Sequence, residues 1–88
     1  MTIKVALIDD QTLVRTGISS LLSLSEKVKV IAEGDDGDRA VSIANEFNPD
    51  IFLMDIRMAR MNGIKAIQSL RSIGINTCLL YTSDAADD

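Results

Sequence analysis

The sequence predicts an α/β fold in which helices cover a doubly wound parallel sheet. Short apolar runs alternate along the chain with segments of helical apolar spacing, and aspartates directly follow two of these runs. The resulting order β-α-β-α-β-α-β favours parallel strands joined by right-handed crossovers. A chain of 88 residues, 47% of them apolar and 25% charged, has room for one small domain.

The first half of the chain supplies two predicted strands and one helix. Ile3–Ile8 is an apolar run interrupted by a single lysine, which is typical of a strand buried on both faces. Apolar residues then recur with helical spacing, which predicts a first helix over residues 12–24. A second strand is predicted over residues 28–33, and the turn-rich string GDDG at 34–37 follows it. The aspartates of residues 35–38 are interpreted as a solvated acidic loop.

The second half supplies two helices and two strands. Asp38 is the predicted capping residue of the second helix, and Pro49 prevents that helix from continuing. Residues 51–54 are four consecutive apolar residues between two aspartates, which predicts a fully buried strand. A third helix over residues 63–73 and a short fourth strand at Cys78–Tyr81 complete the pattern.

Three carboxylates are expected at one edge of this sheet. Asp9 and Asp10 follow the first strand and Asp55 follows the third, and doubly wound sheets bind ligands at the carboxyl ends of their strands. Such carboxylates would repel one another without a cation, and their hard oxygens suit Mg²⁺. A metal held by Asp10 and Asp55 would leave Asp55 able to attack a phosphoryl group. Solvated loop acids or helix caps are the alternative interpretation.

Two strings resemble a known family. VALIDDQTLVRTGI and PDIFLMDIRMARMNGIKAI are similar to the receiver domain of bacterial two-component response regulators, in the branch with a C-terminal helix-turn-helix. The resemblance covers residues 2–77 and implies a flavodoxin-like sheet of order 2-1-3-4-5. It also implies that Asp55 is the phosphoacceptor, that Asp9 and Asp10 bind Mg²⁺, and that Arg57 offers its backbone carbonyl to the metal.

The resemblance also implies partners and a location. A sensor histidine kinase would donate the phosphoryl group, the receiver would signal rather than act as an enzyme, and the phosphorylated full-length protein would form a homodimer. The family branch implies that transcription would be controlled through a C-terminal DNA-binding domain outside this chain. The chain itself has a net charge of −4, which gives no electrostatic footprint on nucleic acid or membranes. The short apolar run at the N-terminus is no signal-peptide core, so we expect a cytoplasmic protein.

The end of the chain departs from the family. None of the lysines, at positions 4, 27, 29 and 65, follows a fourth strand, so the fifth strand, its lysine and the last helices are expected to be missing. Residues 78–88, CLLYTSDAADD, resemble the in-frame translation of a transposon-based sequencing adapter. This predicts a partial receiver domain over 1–77 and a non-native tail over 78–88. Alternatively LLYTS is a native fourth strand, with Thr82 at the family's hydroxyl position beside the phosphate.

Two rival functions stay open at this point. A Mg²⁺-dependent phosphatase or phosphotransferase with an aspartyl nucleophile usually carries a second acid two positions after that nucleophile. Gln11 stands at that position after Asp9 and supplies no general acid. The other rival is an interaction module that works without phosphorylation.

Overall fold

Four parallel strands form one sheet, in the order β2-β1-β3-β4. The computed structural model describes residues 2–58 and 60–81 of the chain. The elements are β1 (Ile3–Ile8), α1 (Thr12–Leu22), β2 (Val28–Gly34), a 3₁₀ turn (Gly37–Arg39), α2 (Ala40–Phe47), β3 (Ile51–Asp55), α3 (Gly63–Ser72) and β4 (Cys78–Tyr81).

This strand order places helices on both faces of the sheet. The chain moves outward from β1 to β2 and then returns past β1 to β3, so right-handed crossovers place α1 and α2 on opposite faces. The doubly wound α/β prediction is confirmed, and the observed order 2-1-3-4 agrees with the expected flavodoxin-like order over its first four strands.

The main core lies between the sheet and the helices α2 and α3. Alternate residues of β1 and β3 point into it, because successive side chains of a strand face opposite sides. Small residues on the two helices let their backbones approach the sheet closely. The core residues are Ala6, Ile8, Phe52 and Met54 from the strands and Ala40, Ile43, Ala44, Ala66 and Leu70 from the helices.

The face covered by α1 is only partly packed. Val5 and Leu7 of β1 are buried on this side, but α1 itself has no buried residue. Leu13 and Leu21 of α1 are 85% and 68% exposed. Their apolar surface contributes little to the stability of the fold, because that contribution scales with the apolar area removed from water.

Several local predictions are corrected by the structure. The first helix ends at Leu22 rather than at residue 24. Asp38 does not cap the second helix: α2 begins after Arg39 without a side-chain cap, and Asp36 caps the preceding 3₁₀ turn by accepting the N–H of Asp38. The third strand is not fully buried, because its residues Ile51 and Leu53 are half-buried.

Two residues in the left-handed backbone region end helices. Asn48 has a φ of 51° directly after α2, and its N–H donates to the carbonyl of Ala44. Gly74 has a φ of 91° shortly after α3, a conformation that favours glycine. The prediction that Gly74 terminates the third helix is therefore confirmed within two residues. No helix in the ranges 2–58 and 60–81 combines the length and apolar character needed to cross a bilayer.

Candidate metal and phosphoacceptor site

The site begins with Asp9, which directly follows β1 and is fully buried. One carboxylate oxygen, Oδ1, accepts the backbone N–H of Gln11 at 2.8 Å. The other, Oδ2, accepts the hydroxyl of Tyr81 at 2.7 Å. Because each oxygen has a donor, the carboxylate is held in one orientation at the edge of the sheet.

Asp10 and Asp55 complete a group of three carboxylates. Asp55 is the last residue of β3 and is buried, whereas Asp10 is exposed. The pairing of β1 with β3 brings the carboxyl ends of the two strands together. One carboxylate oxygen from each of Asp9, Asp10 and Asp55 lies within 4.8 Å of the other two. The structure thus brings the three predicted side chains into a single cluster.

The electrostatics of the cluster favour a cation. Desolvation by partial burial raises the pKa of Asp10, and the charges of Asp9 and Asp55 raise it further. A divalent cation would remove this repulsion, and hard carboxylate oxygens are ligands that Mg²⁺ accepts. The donor set therefore fits a hard divalent metal, with Asp55 offering an oxygen from the end of β3 and Asp10 offering one from the segment that follows β1.

Arg57 lies in the loop that leaves the cluster. Its backbone N–H donates to Oδ1 of Asp55 at 3.2 Å, which forms an Asx-type turn directly after β3. At the far side of this turn the N–H of Gly63 donates to the carbonyl of Ile56 at 2.9 Å. These two bonds keep Arg57 next to the cluster, while the role assigned to its carbonyl stays a prediction.

Arg15 is a cation beside the cluster that the sequence interpretation missed. Its side chain is 16% exposed; its Nε donates to Oε1 of Glu33 at 3.2 Å, and its guanidinium also donates to the backbone carbonyl of Asp9. Arg15 thereby ties α1 to the end of β1. The available signal was an arginine in the first turn of the helix that follows Asp9 and Asp10, because that turn begins at the same edge of the sheet as the acidic pair.

Tyr81 is a second missed contact. In the register of β3 and β4 it pairs with Asp55, and its hydroxyl reaches Asp9 across the site. Burial raises the pKa of Tyr81 above its ordinary value, and the hydrogen bond to Asp9 and the charges of Asp9 and Asp55 raise it further. The sequence pattern showed only a short apolar strand here. Thr82, the predicted hydroxyl residue, lies outside the described residues.

Asp36, unlike Arg15 and Tyr81, was assigned to the wrong environment by the sequence interpretation. The string GDDG was interpreted as solvated, but Asp36 is buried and its carboxylate accepts backbone N–H groups of Arg60 and Met61 at 2.8 and 2.7 Å. Only its neighbours Asp35 and Asp38 are exposed, and both form ion pairs with the Arg60 side chain. Ion pairs this exposed contribute little to stability.

Comparison with known proteins identifies the family. A family profile described as "Response regulator receiver domain" matches residues 5–88. The chain belongs to the response regulator receiver domain family. The resemblance inferred from the two sequence strings is thereby confirmed, and the cluster of Asp9, Asp10 and Asp55 lies at the carboxyl ends of two adjacent strands of this receiver domain.

Individual relatives of this receiver domain agree with the assignment. It is 40% identical over 68 residues to the transcriptional regulatory protein DegU of Brevibacillus brevis, covering 77% of this chain and 29% of DegU. It is 44% identical over 71 residues to the response regulator protein VraR of Staphylococcus aureus, covering 81% of this chain and 34% of VraR. The chain thus matches about a third of the length of these curated relatives.

A solved structure shows the same architecture. The signal receiver domain of NarL from Mycobacterium tuberculosis superimposes with a TM-score of 0.86 at 36% sequence identity. The match covers 93% of this chain and 67% of that domain. The receiver fold is therefore shared over nearly all of this chain.

Proposed function

We propose that this receiver domain accepts a phosphoryl group on Asp55 from a sensor histidine kinase, with Mg²⁺ held by Asp9, Asp10, Asp55 and the backbone carbonyl of Arg57. The observation that carries the proposal is the cluster itself, in which three carboxylate oxygens lie within 4.8 Å of one another. Asp55 is a buried member at the end of a central strand, where the strand fixes its position.

The chemistry assigned to Asp55 is a single transfer. A carboxylate oxygen of Asp55 attacks phosphorus in line, the phosphorus–nitrogen bond of the donor phosphohistidine breaks, and its electron pair returns to the imidazole. The product is an acyl phosphate on Asp55. The metal, when bound, supplies positive charge that neutralises the phosphoryl oxygens. The chain's own residues orient the acceptor, because the N–H of Arg57 holds Oδ1 of Asp55.

The wider role follows from the family and is part of the proposal. The added charge of the acyl phosphate would bias a two-state surface of the domain and promote homodimerisation of the longer protein. DegU is named a transcriptional regulatory protein, which supports an output in transcription through a C-terminal DNA-binding domain. We place this activity in the cytoplasm, and we assign the chain a signalling role rather than turnover of a substrate.

The proposed boundary near Thr77 rests on sequence alone. We assign residues 1–77 to a partial receiver domain and residues 78–88 to a non-native tail, because those residues match an adapter translation. The pairing of β4 with β3 is compatible with that origin, since a short apolar run is sufficient for an edge strand. Sequencing the gene from intact DNA across the Thr77–Cys78 codons tests this: continuous native sequence there would refute it.

Phosphoryl uptake tests the assignment of Asp55. The chain is incubated with acetyl phosphate and Mg²⁺, and the intact mass is measured. We expect the mass of one added phosphoryl group in the wild type and none in Asp55→Asn. Asp50→Asn is the matched control, because Asp50 is an exposed aspartate at the opposite end of the same strand. Labelling that persists in Asp55→Asn would refute the assignment.

A further inference from the structure

Two loops that are distant in sequence are joined by hydrogen bonds at the buried side chain of Asp36. Asp36 is 1% exposed, its Oδ2 accepts the N–H of Arg60 at 2.8 Å, and its Oδ1 accepts the N–H of Met61 at 2.7 Å. In the opposite direction, the N–H of Gly37 donates to the carbonyl of Met61 at 3.1 Å. We call this set of three bonds the Asp36 clasp.

The clasp exceeds what a turn cap requires. Capping the 3₁₀ turn needs only the N–H of Asp38, which reaches Oδ1 of Asp36 at 3.4 Å. The two shorter bonds go instead to a loop that is 24 and 25 residues further along the chain. A buried carboxylate is stable as an anion only when donors compensate for its lost hydration. The donors in the distant loop therefore supply most of that compensation.

The charge of Asp36 is consistent with these bonds. Burial alone would raise the pKa of Asp36, but the backbone N–H groups of Arg60, Met61 and Asp38 and the charge of Arg60 together hold it below its ordinary value. Asp36 is thus an anion at neutral pH, and its bonds to the loop are charge-assisted.

The backbones of the two segments are in close contact at Gly37 and Met61. A Cβ added at Gly37 would lie 2.3 Å from the carbonyl oxygen of Met61, closer than any side-chain carbon is normally found. Glycine is therefore required at this position for the backbones to meet. The carboxylate of Asp36 holds the two segments together, and the lack of a side chain at Gly37 lets their backbones come this close.

The loop held by the clasp is the one that leaves Asp55. At its start, the N–H of Arg57 is held by Asp55, and at its end the N–H groups of Arg60 and Met61 are held by Asp36. Arg57 is the residue whose carbonyl the proposed function assigns to the metal. A metal that binds an unordered loop must also order it, and the lost conformational entropy opposes binding.

We propose that Asp36 is a positioning residue for metal binding, which acts through the clasp by holding the loop so that the Arg57 carbonyl faces Asp10 and Asp55. The inference rests on the proposed function, since it presupposes the metal site. Outer-shell groups that orient metal ligands change metal affinity by about 10- to 100-fold when removed. We expect a loss at the lower end of this range, because Arg57 is still held by Asp55 when the clasp is broken.

The experiment is a Mg²⁺ titration of the 88-residue chain, followed through the amide resonances of its folded state in osmolyte-containing buffer. Asp36→Asn keeps the size of the side chain but leaves one carbonyl oxygen where two carboxylate oxygens accepted. We expect its Mg²⁺ dissociation constant to rise about tenfold, and the rate of labelling by acetyl phosphate to match the wild type at saturating Mg²⁺. Faster hydrogen exchange at Arg60 and Met61 should accompany the change.

Two further variants separate the clasp from charge and from unfolding. Asp35→Asn makes the same change of charge at the exposed neighbouring residue and should bind Mg²⁺ as the wild type does. Gly37→Ala pushes the loop away without changing any charge and should weaken Mg²⁺ binding as Asp36→Asn does. Resonances of the folded state report affinity even where a variant is partly unfolded.

The possible results identify which claim fails. Asp36→Asn and Gly37→Ala with wild-type affinity for Mg²⁺ would overturn the inference alone, and so would an equal loss in Asp35→Asn. A wild-type chain that binds Mg²⁺ but takes up no phosphoryl group would overturn the proposed function while the role of Asp36 in metal binding stands. A wild-type chain that does not bind Mg²⁺ would overturn both.

Discussion

Replacing Asp10 by asparagine should stabilise the metal-free chain and destabilise the chain relative to wild type in Mg²⁺. Oxygens of Asp9, Asp10 and Asp55 lie within 4.8 Å of one another. Two unit charges at that separation repel by about 3.5 kcal/mol at an effective dielectric constant near 20, and by about 0.9 kcal/mol in water. Asp10 is exposed, so the lower value applies to its repulsion with Asp9 and to its repulsion with Asp55.

Without metal, Asp10→Asn therefore removes about 1–2 kcal/mol of repulsion from the folded state. For a domain of this size, each kcal/mol corresponds to an increase of about 4–8 °C in the unfolding midpoint. With Mg²⁺ at a hundred times its dissociation constant, the wild type gains about 2.7 kcal/mol from binding. The variant has lost a ligand and gains much less, so the order of the two midpoints should reverse.

The assay is thermal unfolding followed by circular dichroism, once in EDTA and once in excess Mg²⁺. Glu26→Gln is the matched control, because it removes one exposed negative charge without being part of the cluster. Its midpoint should change little in either buffer. An Asp10→Asn midpoint below that of the wild type in EDTA would refute the claim that the three carboxylates repel one another. Equal stabilisation of both chains by Mg²⁺ would refute the claim that Asp10 is a metal ligand.

Three further predictions follow from the same structure. Asp36→Asn should lower the free energy of unfolding by about 2 kcal/mol at pH 7. Because the folded-state pKa of Asp36 is lowered, this advantage of the wild type exists above about pH 4 and should disappear as the pH falls through that pKa. Urea unfolding of both chains, at pH 7 and at a pH below that pKa, measures the difference. Absorbance titration of Tyr81, the only tyrosine, should show ionisation above the ordinary tyrosine pKa of about 10. Asp9→Asn should move the pKa of Tyr81 part of the way back towards that ordinary value. The same titration curve in Asp9→Asn as in the wild type would contradict the hydrogen bond between the two side chains. Exposed Leu13 and Leu21 should make the folded chain bind a hydrophobic dye, and polar substitutions at both positions should reduce that binding; absence of dye binding would contradict the exposure of this face of α1.

Much of the fold was predictable because its signals are local. The apolar run of β1 and the run at residues 51–54 are each followed by an aspartate, and both are strands at these positions. The acids at their ends meet because parallel strands bring their carboxyl ends to one edge. The alternation of strand and helix restricts the connections to right-handed crossovers. Handedness alone permits several strand orders, so the observed order 2-1-3-4 was expected only through the family resemblance.

The features that could not be predicted depend on contacts between distant residues. Asp36 belongs to a string of aspartates and glycines that looks solvated, and only the loop at Arg60 and Met61 gives it donors. The hydroxyl of Tyr81 reaches Asp9 across 72 positions of sequence. Asp38 was predicted to cap the second helix, but Asp36 caps a 3₁₀ turn that precedes that helix, because neighbouring aspartates offer alternative caps of similar strength.

Chemical trapping of the acyl phosphate tests the central claim most directly. The chain is treated with acetyl phosphate and Mg²⁺, reduced with borohydride, digested and sequenced by mass spectrometry. Borohydride converts an aspartyl phosphate to homoserine, which marks the residue that carried the phosphoryl group. We predict homoserine at position 55 alone, and only when Mg²⁺ is present. Homoserine at position 9 or 10, or unmodified Asp55 in a chain that binds Mg²⁺, would contradict the assignment of Asp55 as the phosphoacceptor.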